Sequence, residues 1–149
     1  MTILDVVQHP NPVLREKAAE VTTFDKKIQT FIEDLYDTMA QYNGIGLAAP
    51  QVGVLQRIFV IGYEGVYHEF INPVLSNMSG QQSMNEGCLS IPGIQVPVDR
   101  YEKLTIKAQN RHGKTFTLDV DAMVATIIQH ENDHLEGVLI IDKNLPIEG

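Results

Sequence analysis

The residues best suited to chemistry lie near the C-terminus, in Gln129-His130-Glu131-Asn132-Asp133-His134. The segment contains His-Glu-x-x-His, and on a helix residues four apart lie one turn above each other on a single face. His130 and His134 then offer two imidazoles to one metal ion, with Glu131 beside them to move protons. The preceding residues, Met123 to Ile128, are apolar almost all round apart from Thr126, the mark of a helix passing through a core. Two His, a Glu and an Asp on such a helix need partners or a metal, because stranding them in a core costs several kcal/mol. A catalytic metal needs three protein ligands and an open position. Cys88, the only thiol, is the best candidate for the third, since it lies in a glycine-flanked, loop-like segment. Other enzymes of the His-Glu-x-x-His type use a carboxylate there, so the motif alone leaves the choice open.

The elements that must position these groups follow in chain order. Pro12 suits the start of a short helix through Arg15. From Ile28 the apolar residues Phe31, Ile32, Leu35 and Met39 form a helical stripe that ends at Asn43-Gly44. Gly44 to Gly53 is rich in small residues, which let backbone approach a ligand closely, and Gln51 is its one side chain with hydrogen-bonding reach. Arg57–Ile61 reads as a strand and Tyr67–Ile71 as its return, closed by Asn72-Pro73, with His68 an exposed strand residue. Ser76 to Asn85 reads as a strand edge or loop, and Pro92, Gly93 and Pro97 as interruptions. Leu104–Ala108 and Thr115–Val120 alternate as a hairpin about Arg111–Lys114. Asp119 or Asp121 caps the metal helix, which stops at Gly137. No repeat or linker is present, so residues 1–149 read as one α+β domain.

Composition narrows the classes. A 149-residue chain with 44% hydrophobic and 20% charged residues is long enough for a substantial core. Its apolar runs are too short to span a bilayer, and its N-terminus has no targeting pattern, so a cytoplasmic place is expected. One cysteine permits no internal disulfide and fits a reducing compartment. The net charge of −8 argues against nucleic acid binding through a broad basic face.

Three segments together, Gly44-Ile-Gly-Leu-Ala-Ala-Pro-Gln51, Glu86-Gly-Cys-Leu-Ser90 and Gln129-His-Glu-Asn-Asp-His134-Leu135, resemble the three motifs of the peptide deformylase family in the right order. The resemblance runs from about Asp5 to Asp142. It implies antiparallel β-sheets packed around a central metal-binding helix. The implied enzyme is a hydrolase that takes the formyl group off the N-terminal formylmethionine of newly made polypeptides. Cys88, His130 and His134 are the implied ligands of an iron(II) ion, for which zinc, nickel or cobalt can substitute.

The expected chemistry is attack by a hydroxide formed when the metal lowers the pKa of its water toward ~7. Glu131 accepts the water proton and passes it to the leaving amine. The resemblance gives the Gln51 side-chain amide and the backbone N–H of Leu89 as donors to the oxyanion. Helix geometry puts Met123, Thr126 and Ile127 on the metal side, where with Ile45 they would line a pocket for an unbranched apolar side chain. The same residues also suit plain core packing, and Thr126 is more polar than the family's usual residue there. Gly44, Ile45 and Gly46 are placed to pair their backbone with the substrate as an added strand. Glu86 is expected to pair with Arg100, and Asp133 to orient a ligand histidine.

Fifteen residues follow His134, where family members that dock on the ribosome continue into a further helix. With the acidic charge, ribosome docking is not expected. Two rivals remain: another His-Glu-x-x-His metallopeptidase, distinguished by a carboxylate or histidine third ligand, and a non-catalytic binder of peptide N-termini.

Overall fold

The computed structural model describes residues 2–146; Met1 and Ile147–Gly149, the end of the short stretch after the metal helix, lie outside it. Its centre is a five-stranded antiparallel sheet in the order β1-β2-β3-β6-β7, formed by β1 (Gly46–Ala48), β2 (Ile58–Tyr63), β3 (Val66–Ser79), β6 (Lys103–Gln109) and β7 (Thr115–Asp121). A separate antiparallel pair joins β4 (Gln82–Cys88) to β5 (Ile91–Arg100). Helix α1 (Lys26–Gln41) covers one face of the large sheet and α2 (Ala122–Leu135) the other.

The alternation of side chains along β2 shows why both faces are needed. Phe59 and Ile61 point toward Ala125, Ile128 and Leu135 of α2, while Ile58 and Val60 point toward Ile32, Leu35 and Met39 of α1. All four β2 residues are fully buried, as a strand covered on both sides requires. The small sheet has a core of its own, in which Ile91, Val96 and Val98 pack with Leu14, Leu139 and Ile140.

Sequence and structure differ at four places. The Asn72-Pro73 pair does not close the returning strand. Asn72 takes a left-handed conformation (φ 53°) at a bulge, and β3 continues to Ser79. The bulge is secured because the Asn72 side chain accepts from Val21 N–H and donates to the Val21 carbonyl, both at 2.9 Å. The stretch with Pro92, Gly93 and Pro97 is a strand, since an edge position in a two-stranded sheet tolerates prolines that a central strand would not. Cys88 is the last residue of β4, paired with Ile91 across a tight turn, and not part of an open loop. Asp121 is the N-cap residue of α2 without a side-chain cap bond, whereas Asp119 is held by the Thr105 hydroxyl at 2.7 Å.

Candidate metal centre

Helix α2 brings His130 and His134 to one face, their ring centroids 5.2 Å apart. The end of β4 delivers the thiol of Cys88, 3.4 Å from His134 Nε2. One ligand atom from each of the three residues lies within 4.8 Å of the others. Zinc-like bond lengths of about 2.0–2.3 Å in a tetrahedron put ligand atoms about 3.5 Å apart, so this donor set fits a divalent ion. Glu131 Oε2 stands 4.0 Å from His130 Nε2, and both residues are almost wholly buried.

The electrostatics set the three α2 groups apart. Burial depresses His134, and the positive charges of His130 and Arg100 add to it, so its imidazole stays neutral and available as a ligand. Burial works the same way on His130, but the Glu131 carboxylate, Cys88 and Glu86 outweigh it and raise that group to about 10, so taking a cation there would release its proton. Glu131 is raised to about 7, chiefly by burial, against the opposing charge of His130. Its Oε1 is buried without a hydrogen-bond partner among the described residues, as is Nδ1 of His134.

Behind the ligands stands a partner set that the sequence reading assigned only in part. Glu86, two residues before Cys88 on β4, holds His130 Nδ1 at 2.9 Å and leaves Nε2 facing the centre. Arg100 grips Glu86 with two bonds, Nη2 to Oε1 at 2.8 Å and Nε to Oε2 at 3.0 Å, and its side chain is only 5% exposed. Burial would raise the Glu86 carboxyl, but the bonds from Arg100 and His130 prevail and hold it below its ordinary value. The expected Glu86–Arg100 pair is therefore a buried fork and not a surface contact. Asp133 bonds Arg100 Nη1 at 2.5 Å and pairs with Lys143, so the carboxylate that orients a histidine of the cluster is Glu86.

Gln51 is fixed at its oxygen, which accepts from Ala48 N–H at 2.9 Å. That bond turns its amide nitrogen toward Cys88 Sγ (3.6 Å) and the Ser90 hydroxyl (3.3 Å). A cavity of about 610 Å³ opens over the centre, with Gln51, Cys88, Leu89, His130 and Glu131 in its wall. Gly44, Ile45, Gly46, Met123, Thr126 and Ile127 line the same cavity, and His134 is buried at 1% exposure. Among the described residues strand β1 has one sheet neighbour, β2, so the other edge of Gly46 is unpaired by the sheet. A Cβ at Gly46 would lie 2.5 Å from Glu131 Oε2, which explains a glycine where backbone meets this carboxylate. A larger cleft of about 810 Å³ between Arg57, Val74, Tyr101 and Lys143 holds none of the three ligand groups.

Sequence reasoning missed Ser90 as a partner of Gln51 and Glu86 as the partner of His130. Neither was within reach of spacing alone, because the strand register shifts between Glu86 and Cys88, where simple alternation does not hold.

Comparison with known proteins agrees with this geometry over nearly the whole chain. The family described as polypeptide deformylase matches residues 3–148. The chain belongs to the polypeptide deformylase family. It is 45% identical to peptide deformylase 1 of Clostridium perfringens, over 97% of this chain and all of that one. It is 43% identical to the peptide deformylase of Dictyoglomus turgidum, over 95% and 92%. The crystal structure of peptide deformylase from Thermotoga maritima superposes with a TM-score of 0.95 at 39% identity, covering 98% of this chain and 100% of that one. A Synechococcus elongatus peptide deformylase in complex with actinonin gives 0.92 at 37%, covering 95% and 78%. The resemblance read from the three motifs is thus shown, as are the α+β fold and the enzyme class: a metal-dependent hydrolase that removes N-terminal formyl groups from new polypeptides. No helix among the described residues is long and apolar enough to cross a membrane.

Proposed function

We propose that this chain carries out deformylation as one catalytic domain, with Cys88, His130 and His134 as ligands of an iron(II) ion. Zinc, nickel or cobalt would substitute. The observation that carries the reading is the convergence of one thiol and two imidazoles within 4.8 Å beside a buried carboxylate. It disfavours the metallopeptidase rival, which calls for a carboxylate or histidine third ligand. What the metal contributes when bound is the acidification of a water molecule, whose pKa falls toward ~7.

The chain's own groups do the rest. Glu131 takes the proton of the attacking water and returns it to the amine as the formyl C–N bond breaks, releasing formate. Its buried place in the cavity wall, with Oε1 unpartnered among the described residues, suits it to carry that proton. The Gln51 amide and the Leu89 backbone N–H donate to the formyl oxygen as negative charge develops there. Gly44 to Gly46 align the peptide backbone, and Ile45, Met123, Thr126 and Ile127 receive the methionine side chain.

The partner is then the formylmethionyl end of a nascent chain. The net charge of −8 argues against ribosome docking through a broad basic face, and the lone thiol suits the reducing cytoplasm. Anaerobic purification, metal analysis and a formate-release assay test the proposal. One equivalent of iron and activity that decays in air are expected, because iron and thiolate both oxidise. Iron-loaded enzyme that releases no formate from formyl-Met-Ala would overturn it.

A further inference from the structure

The α2 face that lines the cavity carries one hydroxyl. Thr126, 4% exposed, shares its wall with Met84, Met123, Ile127 and His130. A threonine inside a helix commonly gives its hydroxyl proton to the carbonyl four residues back. Thr38 does so in α1, donating to the Asp34 carbonyl at 2.6 Å. Thr126 does not. Its counterpart carbonyl, that of Ala122, already accepts from Gln82 Nε2 at 2.8 Å. The same Gln82 nitrogen donates to Thr126 Oγ1, also at 2.8 Å. Gln82 reaches across from the start of β4, and its amide group sits further within 3.4 Å of the Tyr101 carbonyl.

This arrangement fixes the polarity of the hydroxyl. Oγ1 is the acceptor of the Gln82 bond, so the Thr126 proton is free to be given elsewhere. Among the described residues it has no acceptor in the hydrogen-bond network, and the nearby cavity wall is largely apolar. A donor held in an apolar recess selects for a side chain with an acceptor at matching depth. An unbranched thioether is apolar over most of its length and carries one weak acceptor, its sulfur.

We propose that Thr126 donates its hydroxyl proton to the sulfur of the substrate's methionine side chain, and that Gln82 is the positioning residue that keeps the proton aimed there. This rests on the deformylase reading above. Methionine and norleucine have nearly the same shape and differ by sulfur against a methylene, so their ratio isolates the contact. The contact exists in the bound substrate as well as in the transition state, and its loss therefore raises KM while kcat holds.

The test compares formyl-Met and formyl-norleucine peptides on metal-loaded wild type, Thr126→Val, Thr126→Ser and Gln82→Leu. The Met over norleucine ratio of kcat/KM should fall about two- to tenfold in Thr126→Val, the range of one weak hydrogen bond. Thr126→Ser, which keeps the hydroxyl, should restore it. Gln82→Leu should lower it as well, because the freed hydroxyl turns to the Ala122 carbonyl. An unchanged ratio in Thr126→Val overturns the inference, and an unchanged ratio in Gln82→Leu overturns the part given to Gln82. If wild type releases formate from neither peptide, the deformylase reading itself fails. If it releases formate from both and Thr126→Val keeps the ratio, only the sulfur contact fails.

Discussion

Gly46 and Glu131 come from distant parts of the chain and meet with no room between them. Substituting Ala at position 46 would put a methyl group 2.5 Å from Glu131 Oε2 and 2.9 Å from its carboxyl carbon. Because a shift of about 1 Å in a catalytic group costs about 10²-fold, Gly46→Ala should lower kcat by that order while the metal content stays at the wild-type level. Steady-state formate release beside metal analysis checks it; full activity would show that Glu131 tolerates displacement. Gln51→Ala should likewise reduce kcat about 10²-fold or more, with far less change in KM, as the proposed donation to charge that exists only in the transition state requires. At this scale the clustering of His130, Glu131 and His134 on one face was legible because their spacing matches a helical turn, and Cys88 stood out as the lone thiol. Asp133 was misassigned because periodicity places a residue on a face without saying which side chain reaches it from another element, and here that side chain is Arg100.

Helices and strands declare themselves through period and punctuation, and the two differ in how well they do so. Helix α1 follows its stripe closely, begins at Asp25, whose side chain caps Ile28 N–H, and ends just before Asn43 in a left-handed conformation. The β3 bulge and the proline-bearing β5 were harder, since a residue that breaks a central strand is permitted at a bulge or an edge. Helix α2 ends at a position read correctly, and its reason is now visible. Gly137 has φ 74°, and a Cβ there would lie 2.4 Å from the carbonyl oxygen of Arg15. Gly137→Ala should therefore destabilise the protein by about 1–3 kcal/mol, the usual cost of a strained backbone position. Denaturant titration would show a lower midpoint with an unchanged slope.

Across the whole molecule, Arg111 in the β6–β7 turn ties the hairpin to both α1 and β3. It bonds Glu69 through Nε and Nη2, at 2.8–3.2 Å, and also reaches Glu33. No spacing rule links positions 33, 69 and 111, so this tie could not be read before the chain was folded. Burial would raise the Glu69 carboxyl, but the bonds from Arg111 hold it below its ordinary 4.5. A carboxylate depressed in the folded state stabilises fully above about that pH and loses the contribution as acid takes the pH through the folded value. Glu69→Gln should thus lower the melting temperature at pH 7, and the gap from wild type should close on acidification below 4.5. A gap that persists in acid would mean that Glu69 acts through shape and not charge.

The small sheet and the large one have separate apolar interiors, and Cys88 belongs to the first while both histidines ride on the helix covering the second. A cation gripping all three would act as a rivet between two halves of the molecule. Stripping it should loosen the β4–β5 hairpin before it disturbs the rest, and amide exchange along that hairpin would record the slackening.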